Sequence, residues 1–549
     1  MHTNFKAALL AASILLLTAV NAAPQSPPEE SRSTVGLVLS GLPPVNSPDY
    51  AALKARAAAK QGQALEMTQS EIWVVPADNV AAVTEAAEKL GVKVMGLDIG
   101  SSQPAFQPMP PSTPMSPAQK TMMHDTMQQK AVMGMSMMAL PDPRAMEYAL
   151  TQGMNDPDAP AEAAILSFKL RDDLVVDAKR TSVVKTKNGY AWHGTVIATG
   201  EPVTLLWWPE GRLSGSIAYK GHVYAVRSFG GGMHGIVEQA PNLLPPEHEP
   251  LTEKLRKKMN MTVDPLVREG DASTMMPRQT PPAIEAAPSL RPSLGEDRTA
   301  RDVGPDDQTI AALNPTMIVP PPIATDAKTP ETVITVLVAY TQAATKFYND
   351  LEYDLIAIAL EDVNQSFRNS GLHNIRVELA HAYETNYVES GSHFDHVFRF
   401  AYRNDGYMDE VHALRDEHKA DVSILIVNDP KGCGLAAQVR APQDRAFAVV
   451  DQACAATSYS LAHEIGHIIG ARHDFGIDDS TAPFPFGHGY VNGEEWRTMM
   501  AYKESCHGCP RIPAWSSPGI KVEGIAAGDE RSNNARVVAE EAARVAAFR

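Results

Sequence analysis

The chain has few cysteines, no excess of positive charge and, beyond its first residues, no long apolar segment. Only four of its 549 residues are cysteine, and its formal net charge is −17. An acidic surface repels nucleic acid and anionic membranes, which argues against either as the main partner; solubility is the simpler explanation of the charge. After the first 22 residues no run approaches the roughly 18 apolar residues of a membrane helix, so we expect the mature protein to be soluble.

Residues 1–22 are typical of a secretory signal peptide. MHTNFK carries a lysine, AALLAASILLLTAV is apolar apart from Ser13 and Thr18, and V-N-A precedes the expected cut after Ala22. The apolar run is too short to span a bilayer comfortably, although an uncleaved anchor is the alternative. We therefore expect a secreted protein, extracellular or periplasmic.

All four cysteines, Cys433, Cys454, Cys506 and Cys509, lie in the last quarter of the chain. In an exported protein an even number of cysteines suggests disulfides. The pairs Cys433–Cys454 and Cys506–Cys509 are favoured because each closes a local loop. Zinc binding or thiol redox chemistry at the CxxC pair is the alternative, but no thioredoxin-like βαβ pattern surrounds it.

Four segments with different compositions follow the signal peptide. Residues 23–100 predict a small α/β unit, since β-like runs flank the helical NVAAVTEAAEKLG. Residues 161–265 alternate apolar and polar residues between turn signals, which predicts an antiparallel β-rich domain. Residues 266–330 are rich in proline and predict an extended linker that proteases can reach.

The remaining segment, residues 101–160, is rich in methionine. It holds eleven of the 23 methionines, including MGMSMM at 133–138. A copper(I) patch involving His124 is one interpretation, because thioether sulfur is a soft ligand. The irregular spacing of the methionines favours a loosely ordered helical connector instead.

From residue 331 onward, strand and helix patterns alternate. TVITVLVAYT, IRVELAHAYE and DVSILIVND are typical strands, and LEYDLIAIALEDVNQSFRNSG is a long amphipathic helix. This alternation predicts an α/β (α+β) domain over residues 331–549, with a mixed, mostly parallel sheet.

The segment HEIGHIIGARHD, residues 463–474, has the spacing of a metal site. His463 and His467 are four residues apart and share one face of a helix, while Glu464 lies about 100° around it. Gly470 can end the helix in a left-handed conformation, so that His473 turns back toward the same ion. Three neutral imidazoles leave a position for water, as in catalytic zinc sites. The alternative is an amphipathic helix with incidental histidines.

Further downstream, RTMMAY at 497–502 is typical of a tight turn with a methionine under such a site. With SLAHEIGHIIGARHD, FGHGYV and the C-PRI-WSSP segment, it makes the chain resemble the metzincin zinc metallopeptidases over most of residues 331–549. Asp474 after the third histidine resembles the adamalysin (reprolysin) branch. The bacterial reprolysin-like enzymes that include the peptidyl-Asp metallopeptidases are more similar still.

This resemblance implies specific roles for residues of the chain. The zinc ligands, holding one catalytic ion, would be His463, His467 and His473. Glu464 would be the general base acting on a water at the metal, and Met500 the methionine of the turn. The spacing of Tyr502 from Met500 is that of astacins and serralysins, which makes Tyr502 a fifth ligand or a transition-state donor; packing under the site is the alternative. The residues do not indicate whether calcium binds.

The function implied is a secreted zinc endopeptidase made as a latent precursor, acting on proteins or peptides. A non-enzymatic secreted metal-binding or adhesive protein with a vestigial protease domain is the alternative, and the intact Glu464 argues against it. The resemblance extends to the β-rich region ending in LLPPEHEP, which looks like the pro-region of such proteins.

A pro-region that inhibits its own protease needs a group to cover the site. No cysteine precedes Cys433, so a cysteine that masks the zinc is absent. His234 and His248 are candidates, and simple steric cover is the other explanation. A permanent binding module over residues 23–280 is the alternative to a pro-region.

Substrate is expected to lie extended along an edge strand near Ala446–Val450. The resemblance to peptidyl-Asp metallopeptidases suggests cleavage beside aspartate, which requires a cation in the specificity pocket. Arg497, Lys503 and Arg511 lie in the relevant segment; solvated surface charges are the alternative.

Overall fold

The protein is described from a computed structural model. The structure describes residues 34–40, 42–44, 46–57, 60–65, 70–76, 79–97, 107–109, 113–139, 146–147, 150–151, 165–186, 189–208, 211–247, 318–319 and 330–549. The predicted signal peptide, His248 and nearly all of the predicted linker lie outside these ranges. No helix within them is long and apolar enough to cross a membrane. The chain forms two compact units, Met1–Gly100 and Ser101–Arg549.

The first unit is a four-stranded antiparallel sheet with two helices. Its elements are β1 (Thr34–Ser40), α1 (Pro48–Ala57), β2 (Lys60–Leu65), β3 (Ser70–Pro76), α2 (Val80–Lys89) and β4 (Lys93–Leu97). The strand order β2-β3-β1-β4 and the βαββαβ succession are those of a split βαβ fold. Leu37, Trp73 and Val83 are buried in its core, and the ring of Tyr50 packs edge-on against Trp73.

The second unit begins with a nine-stranded antiparallel sheet in the order β5-β6-β13-β12-β11-β10-β9-β8-β7. Its elements are β5 (Gln107–Pro108), α3 (Pro117–Met127), β6 (Val132–Ala139), β7 (Ile165–Arg171), β8 (Leu174–Lys185), β9 (Tyr190–Val196), β10 (Pro202–Trp208), β11 (Arg212–Tyr219), β12 (His222–Gly230) and β13 (Met233–Gln239). Short alternating strands separated by tight turns produce this meander, because antiparallel neighbours need only brief connections.

The methionine-rich segment differs from the helical connector that we expected. Residues 117–127 are helical, and Ser116 and Gln119 form a capping box at the start of the helix. Residues 132–139, which include the MGMSMM run, form strand β6 instead and pair with β13. Methionine has no strong preference for strands, so the backbone partners offered by β13 decide the conformation here.

The remainder of the second unit is built around a five-stranded mixed sheet, β16-β15-β17-β19-β18. Its strands are β15 (Thr332–Thr341), β16 (Ile375–Thr385), β17 (Val422–Val427), β18 (Gly434–Ala436) and β19 (Phe447–Asp451). Strands β16, β15, β17 and β19 are parallel and β18 alone is antiparallel, which agrees with the predicted mixed, mostly parallel sheet. The predicted edge strand was wrong: β19 lies inside the sheet, and the three-residue β18 forms the edge.

Helices cover both faces of this sheet. They are α4 (Gln342–Thr345), α5 (Ala357–Asn369), α6 (His393–Ala401), α7 (Glu410–Glu417), α8 (Ser460–Ile469) and α9 (Asn534–Val545); a π-turn (Glu352–Ile356) precedes α5. Val336 and Val338 of β15 pack in the core formed with α5, α8 and α9. The alternate residues Leu337 and Ala339 pack in a second core with α6 and α7. Burial on both faces explains why the strands are almost entirely apolar.

Smaller elements complete the unit. They are β14 (Ile318–Val319), β20 (Val491–Asn492), β21 (Trp496–Arg497), β22 (Ser517–Val522) and β23 (Ile525–Ala527). The backbone of Arg497 also forms an isolated β-bridge with that of Arg511. This pairing brings the end of β21 beside residues 509–512.

Polar contacts join the nine-stranded sheet to the start of α5. Asp354 accepts hydrogen bonds from Ser214 Oγ at 2.8 Å and from the Ser228 amide at 3.0 Å. Burial raises the pKa of Asp354 to about 6. His193 lies 2.9 Å from Glu361. The two parts of the second unit are therefore held together by specific buried groups and not by loose apolar contact.

Both predicted disulfides are present. Cys433 is bonded to Cys454, 21 residues later, and Cys506 to Cys509, three residues later. The first disulfide joins the turn before β18 to the turn after β19, so it cross-links the two strands at this edge of the five-stranded sheet.

We expect the two disulfides to contribute unequally to stability. A cross-link that closes a loop of about twenty residues lowers the conformational entropy of the unfolded chain. This loss stabilises the folded state by about 3 kcal/mol. The double variant Cys433→Ala/Cys454→Ala should therefore lose about that much free energy of unfolding in urea titration. Cys506→Ala/Cys509→Ala is the control and should lose less, because its loop is short. A larger loss in the control would contradict this account.

Candidate active site

Helix α8 carries the first part of the predicted metal site. Leu461, Ile465 and Ile468 point into the core and are fully buried, as their i, i+4, i+7 spacing predicts. The helix ends at Ile469, and Gly470 follows with φ of 139°. This positive φ, which side chains with a Cβ rarely adopt, turns the chain so that Ala471–Asp474 come back beside the helix.

The three histidines His463, His467 and His473 converge in the structure. Their ligand atoms all lie within 4.8 Å of one another, and all three rings are buried. They are the one group of three or more His, Cys, Asp or Glu side chains placed to hold a metal in the part of the chain that the structure describes.

Backbone carbonyls orient two of these imidazole rings. His463 Nδ1 lies 3.0 Å from the Met499 carbonyl, and His467 Nδ1 lies 2.9 Å from the Ala471 carbonyl. A carbonyl can only accept, so each Nδ1 carries the proton and each Nε2 presents its lone pair. His467 Nε2 and His473 Nε2 are 2.8 Å apart. Three imidazoles whose ring nitrogens converge in this way fit a zinc ion.

Asp474 ties the third histidine to the downstream turn. One carboxylate oxygen, Oδ1, accepts a hydrogen bond from the Tyr502 amide at 2.9 Å, and the other accepts from the Gly476 amide at 3.0 Å. His488 Nδ1 approaches the His473 carbonyl at 2.8 Å. Asp474 therefore positions the turn that carries Met500 and Tyr502, a task that needs two acceptor oxygens at one residue.

Glu464 lies beside the histidines and is almost completely buried. Its Oε2 has no hydrogen-bond partner among the described residues. A Cβ built on Gly434, the first residue of β18, would be 2.5 Å from Glu464 Oε1, so only glycine leaves room for the carboxylate there. Burial, and then the charge of Glu247, hold the pKa of Glu464 well above its usual range.

Met500 lies under helix α8, where the turn motif places it. A Cβ built on Gly466 would be 2.7 Å from Met500 Sδ and 2.7 Å from the ring of Trp515. Gly466 is the one glycine of α8, and its lack of a side chain lets Met500 and Trp515 pack directly against the helix.

Tyr502 lies against the histidine cluster. Its ring centroid is 4.3 Å from that of His473 and 6.0 Å from that of His463. Burial, and then the charge of Glu247, hold the pKa of Tyr502 well above its usual range. The position suits either a ligand or a packing role, and its assignment to the zinc stays a prediction.

Of the two histidines considered as covers for the site, His234 does not fill that role. His234 lies inside the nine-stranded sheet, where its ring accepts a hydrogen bond from the Leu213 amide at 3.3 Å. Burial lowers the pKa of His234 to about 4. His248 lies outside the described residues.

The neighbour of His248, Glu247, does reach the site, which the sequence analysis missed. Glu247 is buried and ion-paired with Arg497 and Arg511, two of the three cations predicted for a specificity pocket. The third, Lys503, donates instead to the backbone carbonyls of Leu244 and Pro245. One sequence feature could have indicated this role of Glu247: it is an acidic residue in the proline-rich LLPPEHEP, and the specificity pocket was expected to hold cations.

Comparison with known proteins agrees with this geometry. A family model described as Metallo-peptidase family M12 (Reprolysin_5) matches residues 330–516. A peptidyl-Asp metalloendopeptidase of Xanthomonas campestris pv. campestris is 33% identical over 339 residues, which are 61% of this chain and 67% of that protein. The chain belongs to the M12 metallopeptidase family. The predictions of a bacterial reprolysin-like relationship and of a metalloendopeptidase are thereby confirmed.

Two further relatives show how far the similarity extends. A peptidyl-Asp metalloendopeptidase of Stenotrophomonas maltophilia (strain R551-3) is 42% identical over 226 residues, covering 40% of this chain and 54% of that protein. One of Pseudomonas fragi is 35% identical over 188 residues, covering 34% of this chain and 99% of that protein. The M12 match begins just before β15 and ends beyond Met500, so it contains all three converging histidines.

We expect the close packing at Gly466 to be needed for metal binding. In Gly466→Ala the new methyl group would collide with Met500 and Trp515, which costs about 1–3 kcal/mol and displaces the helix that carries two histidines. Zinc affinity, measured by competition with a chromophoric chelator, should fall. Ala462→Gly weakens the same helix by about 1 kcal/mol without adding volume, and serves as the control. Equal zinc affinity in Gly466→Ala and the unmodified chain would show that the contact is unimportant.

Proposed function

We propose that the chain is a zinc-dependent endopeptidase of the metzincin type, made as a latent precursor. The observation that carries this proposal is the convergence of three buried imidazoles, two of them oriented by backbone carbonyls, beside the buried carboxylate of Glu464. A protein that merely stored a metal would have no need of a carboxylate next to the ligands. Export is supported by the N-terminal signal pattern and by the two disulfides.

Each residue of the site has a task in peptide hydrolysis. A zinc ion on His463, His467 and His473 would supply a Lewis acid that acidifies water and polarises the scissile carbonyl. Glu464 accepts the proton of the attacking water and later donates it to the leaving amine. Tyr502, whose ring lies against His473, donates a hydrogen bond to the oxygen that becomes negative in the transition state.

Substrate binding is assigned to strand β18, the antiparallel edge of the five-stranded sheet. An extended peptide can pair with the backbone of such an edge. Gly434, the first residue of β18, packs against Glu464, so a peptide on this strand passes directly over the carboxylate. The relatives are named for peptidyl-aspartate, and we propose that this chain likewise prefers substrates with an acidic residue.

Latency is assigned to the region before the catalytic domain. The nine-stranded sheet contacts the catalytic domain through Asp354 and Glu361. The segment that leaves this sheet, Leu244–Glu247, reaches the site residues. The proline-rich residues 266–330 then offer a place for cleavage between the two regions.

Substitution of Glu464 tests the chemistry directly. We expect Glu464→Gln to lower the rate of casein hydrolysis by at least about a hundredfold, because the amide cannot accept the proton. Bound zinc, measured by atomic absorption, should stay at one ion per chain, since the three histidines are unchanged. Glu495→Gln, at an exposed position, is the control. A chelator should abolish hydrolysis by the unmodified chain and added zinc should restore it. Full activity in Glu464→Gln would refute the proposal.

Processing provides a separate prediction. The mature protein recovered after export should begin within residues 248–330, because this stretch joins the nine-stranded sheet to the catalytic domain. N-terminal sequencing and mass measurement locate the cut. If the cut is self-made, the purified Glu464→Gln chain should stay full-length on incubation while the unmodified chain shortens. A mature species that keeps residues 34–247 covalently attached would argue for a permanent module.

A further inference from the structure

The last described residues of the region before the linker cross the catalytic domain next to its edge strand. The Cys433 amide donates to the Pro246 carbonyl at 2.8 Å, and the Gly434 amide donates to the Glu247 carbonyl at 3.2 Å. Gly434 is the residue against which the Glu464 carboxylate packs. The backbone of Glu247 is therefore one hydrogen bond from a residue in contact with the proposed general base.

The side chain of Glu247 is held by two arginines of the catalytic domain. Its Oε1 accepts from Arg497 Nη2 at 2.8 Å, and its Oε2 accepts from Arg511 Nη2 at 2.8 Å. All three side chains are less than a tenth exposed. Burial alone would raise the pKa of Glu247, but the charges of Arg511 and Arg497 outweigh it and lower that pKa, so the carboxylate is charged.

The catalytic domain itself fixes both arginines in place. Arg497 Nε donates to the Ala501 carbonyl at 3.0 Å, and Arg511 donates to the carbonyls of Ser458 at 2.6 Å and Ala501 at 3.2 Å. Of the carboxylates that the structure describes, Glu247 is the only one within ion-pairing distance of either arginine. Without it, the two buried guanidinium groups would lose their one ion-pair partner among the described residues, which is costly.

We propose that Arg497 and Arg511 form the pocket that receives the acidic side chain of a substrate, and that Glu247 occupies this pocket as an internal substrate mimic. The inference rests on the proposed endopeptidase function and adds to it the residues that select the substrate and the group that blocks them. Two anchored guanidinium groups can each donate to one oxygen of a carboxylate, whereas the neutral amide of asparagine offers one acceptor oxygen only.

The backbone around Glu247 supports a mimic that binds tightly. Lys503 donates to the carbonyls of Leu244 and Pro245, at 3.4 and 3.3 Å, so this cation holds the segment and leaves the carboxylate to the arginines. Pro245 and Pro246 have fixed φ angles, so the segment loses little conformational freedom when it lies on the domain.

The first test uses the full-length chain with Glu247→Gln. This change keeps the shape of the side chain but removes the charge that the arginines bind. The initial rate of cleavage of a peptide with a single central aspartate should rise at least about tenfold over the unmodified full-length chain, since a hydrogen-bonded charge is worth that much or more.

Glu238→Gln is the matched control for this variant. Glu238 is also a buried glutamate paired with an arginine, Arg171, but it lies within the nine-stranded sheet and away from the pocket. If weakening the sheet were enough to release activity, both variants would gain. An equal gain in the two variants, or none in Glu247→Gln, overturns the proposal.

The second test asks what the pocket recognises, on chains that carry Glu247→Gln. The ratio of kcat/KM for the aspartate peptide to that for its asparagine counterpart is measured within one preparation, so the fraction of folded enzyme cancels. The ratio should be at least about tenfold with both arginines present and fall toward one in Arg511→Gln. Arg511→Lys keeps the positive charge but lacks the planar arrangement of guanidinium N–H donors, so it should give an intermediate ratio. A ratio unchanged by Arg511→Gln overturns the proposal.

Chelator-sensitive cleavage of casein, or of a peptide with alanine in place of the aspartate, separates this inference from the endopeptidase proposal, because neither measurement depends on the pocket for an acidic side chain. If no preparation cleaves any peptide or casein in a chelator-sensitive way, the endopeptidase function itself is wrong. If cleavage is chelator-sensitive but Arg511→Gln leaves the preference unchanged, only the pocket assignment is wrong.

Discussion

The site depends on the end of helix α8 at Gly470. Within the helix, His463 and His467 are one turn apart and share a face, but a straight continuation would carry the next histidine away from them. The positive φ of Gly470 reverses the chain and brings His473 Nε2 to 2.8 Å from His467 Nε2. Asp474 then fixes the downstream turn through the Tyr502 amide, so one backbone reversal orders two otherwise separate segments.

A second organising feature is the set of buried charges between the nine-stranded sheet and the catalytic domain. Asp354 and Glu361 lie in the helical segment that packs on the sheet, and Glu247 lies at the edge strand. Each would be costly if left without partners, and each is satisfied by a group from the other side of the boundary. Such contacts give the interface a single geometry, which places Glu247 at the arginines.

The sequence predicted the parts of the structure that depend on local spacing. The helix with its histidines, its glycine end and both disulfides follow from residues close together in the chain. The edge strand was missed because the three residues of β18 carry no detectable alternation. Glu247 was missed because its partner Arg497 is 250 residues away, and no pattern in one sequence links positions so distant. His248 was considered instead, one position away, because imidazole chemistry suggested a zinc blocker.

The contacts that hold Glu247 in place have a consequence for release. They join the nine-stranded sheet and residues 244–247 to the catalytic domain directly, and none of them passes through the stretch 266–317. A cut in that stretch removes the covalent tether but leaves every one of these contacts intact. In the latent precursor proposed above, such a cut would change inhibition from an intramolecular equilibrium, governed by effective concentration, to a bimolecular one governed by the amount of protein in solution. For that precursor, dilution after cleavage would be the final step of activation, and a concentrated sample would stay partly inhibited after the chain had been cut.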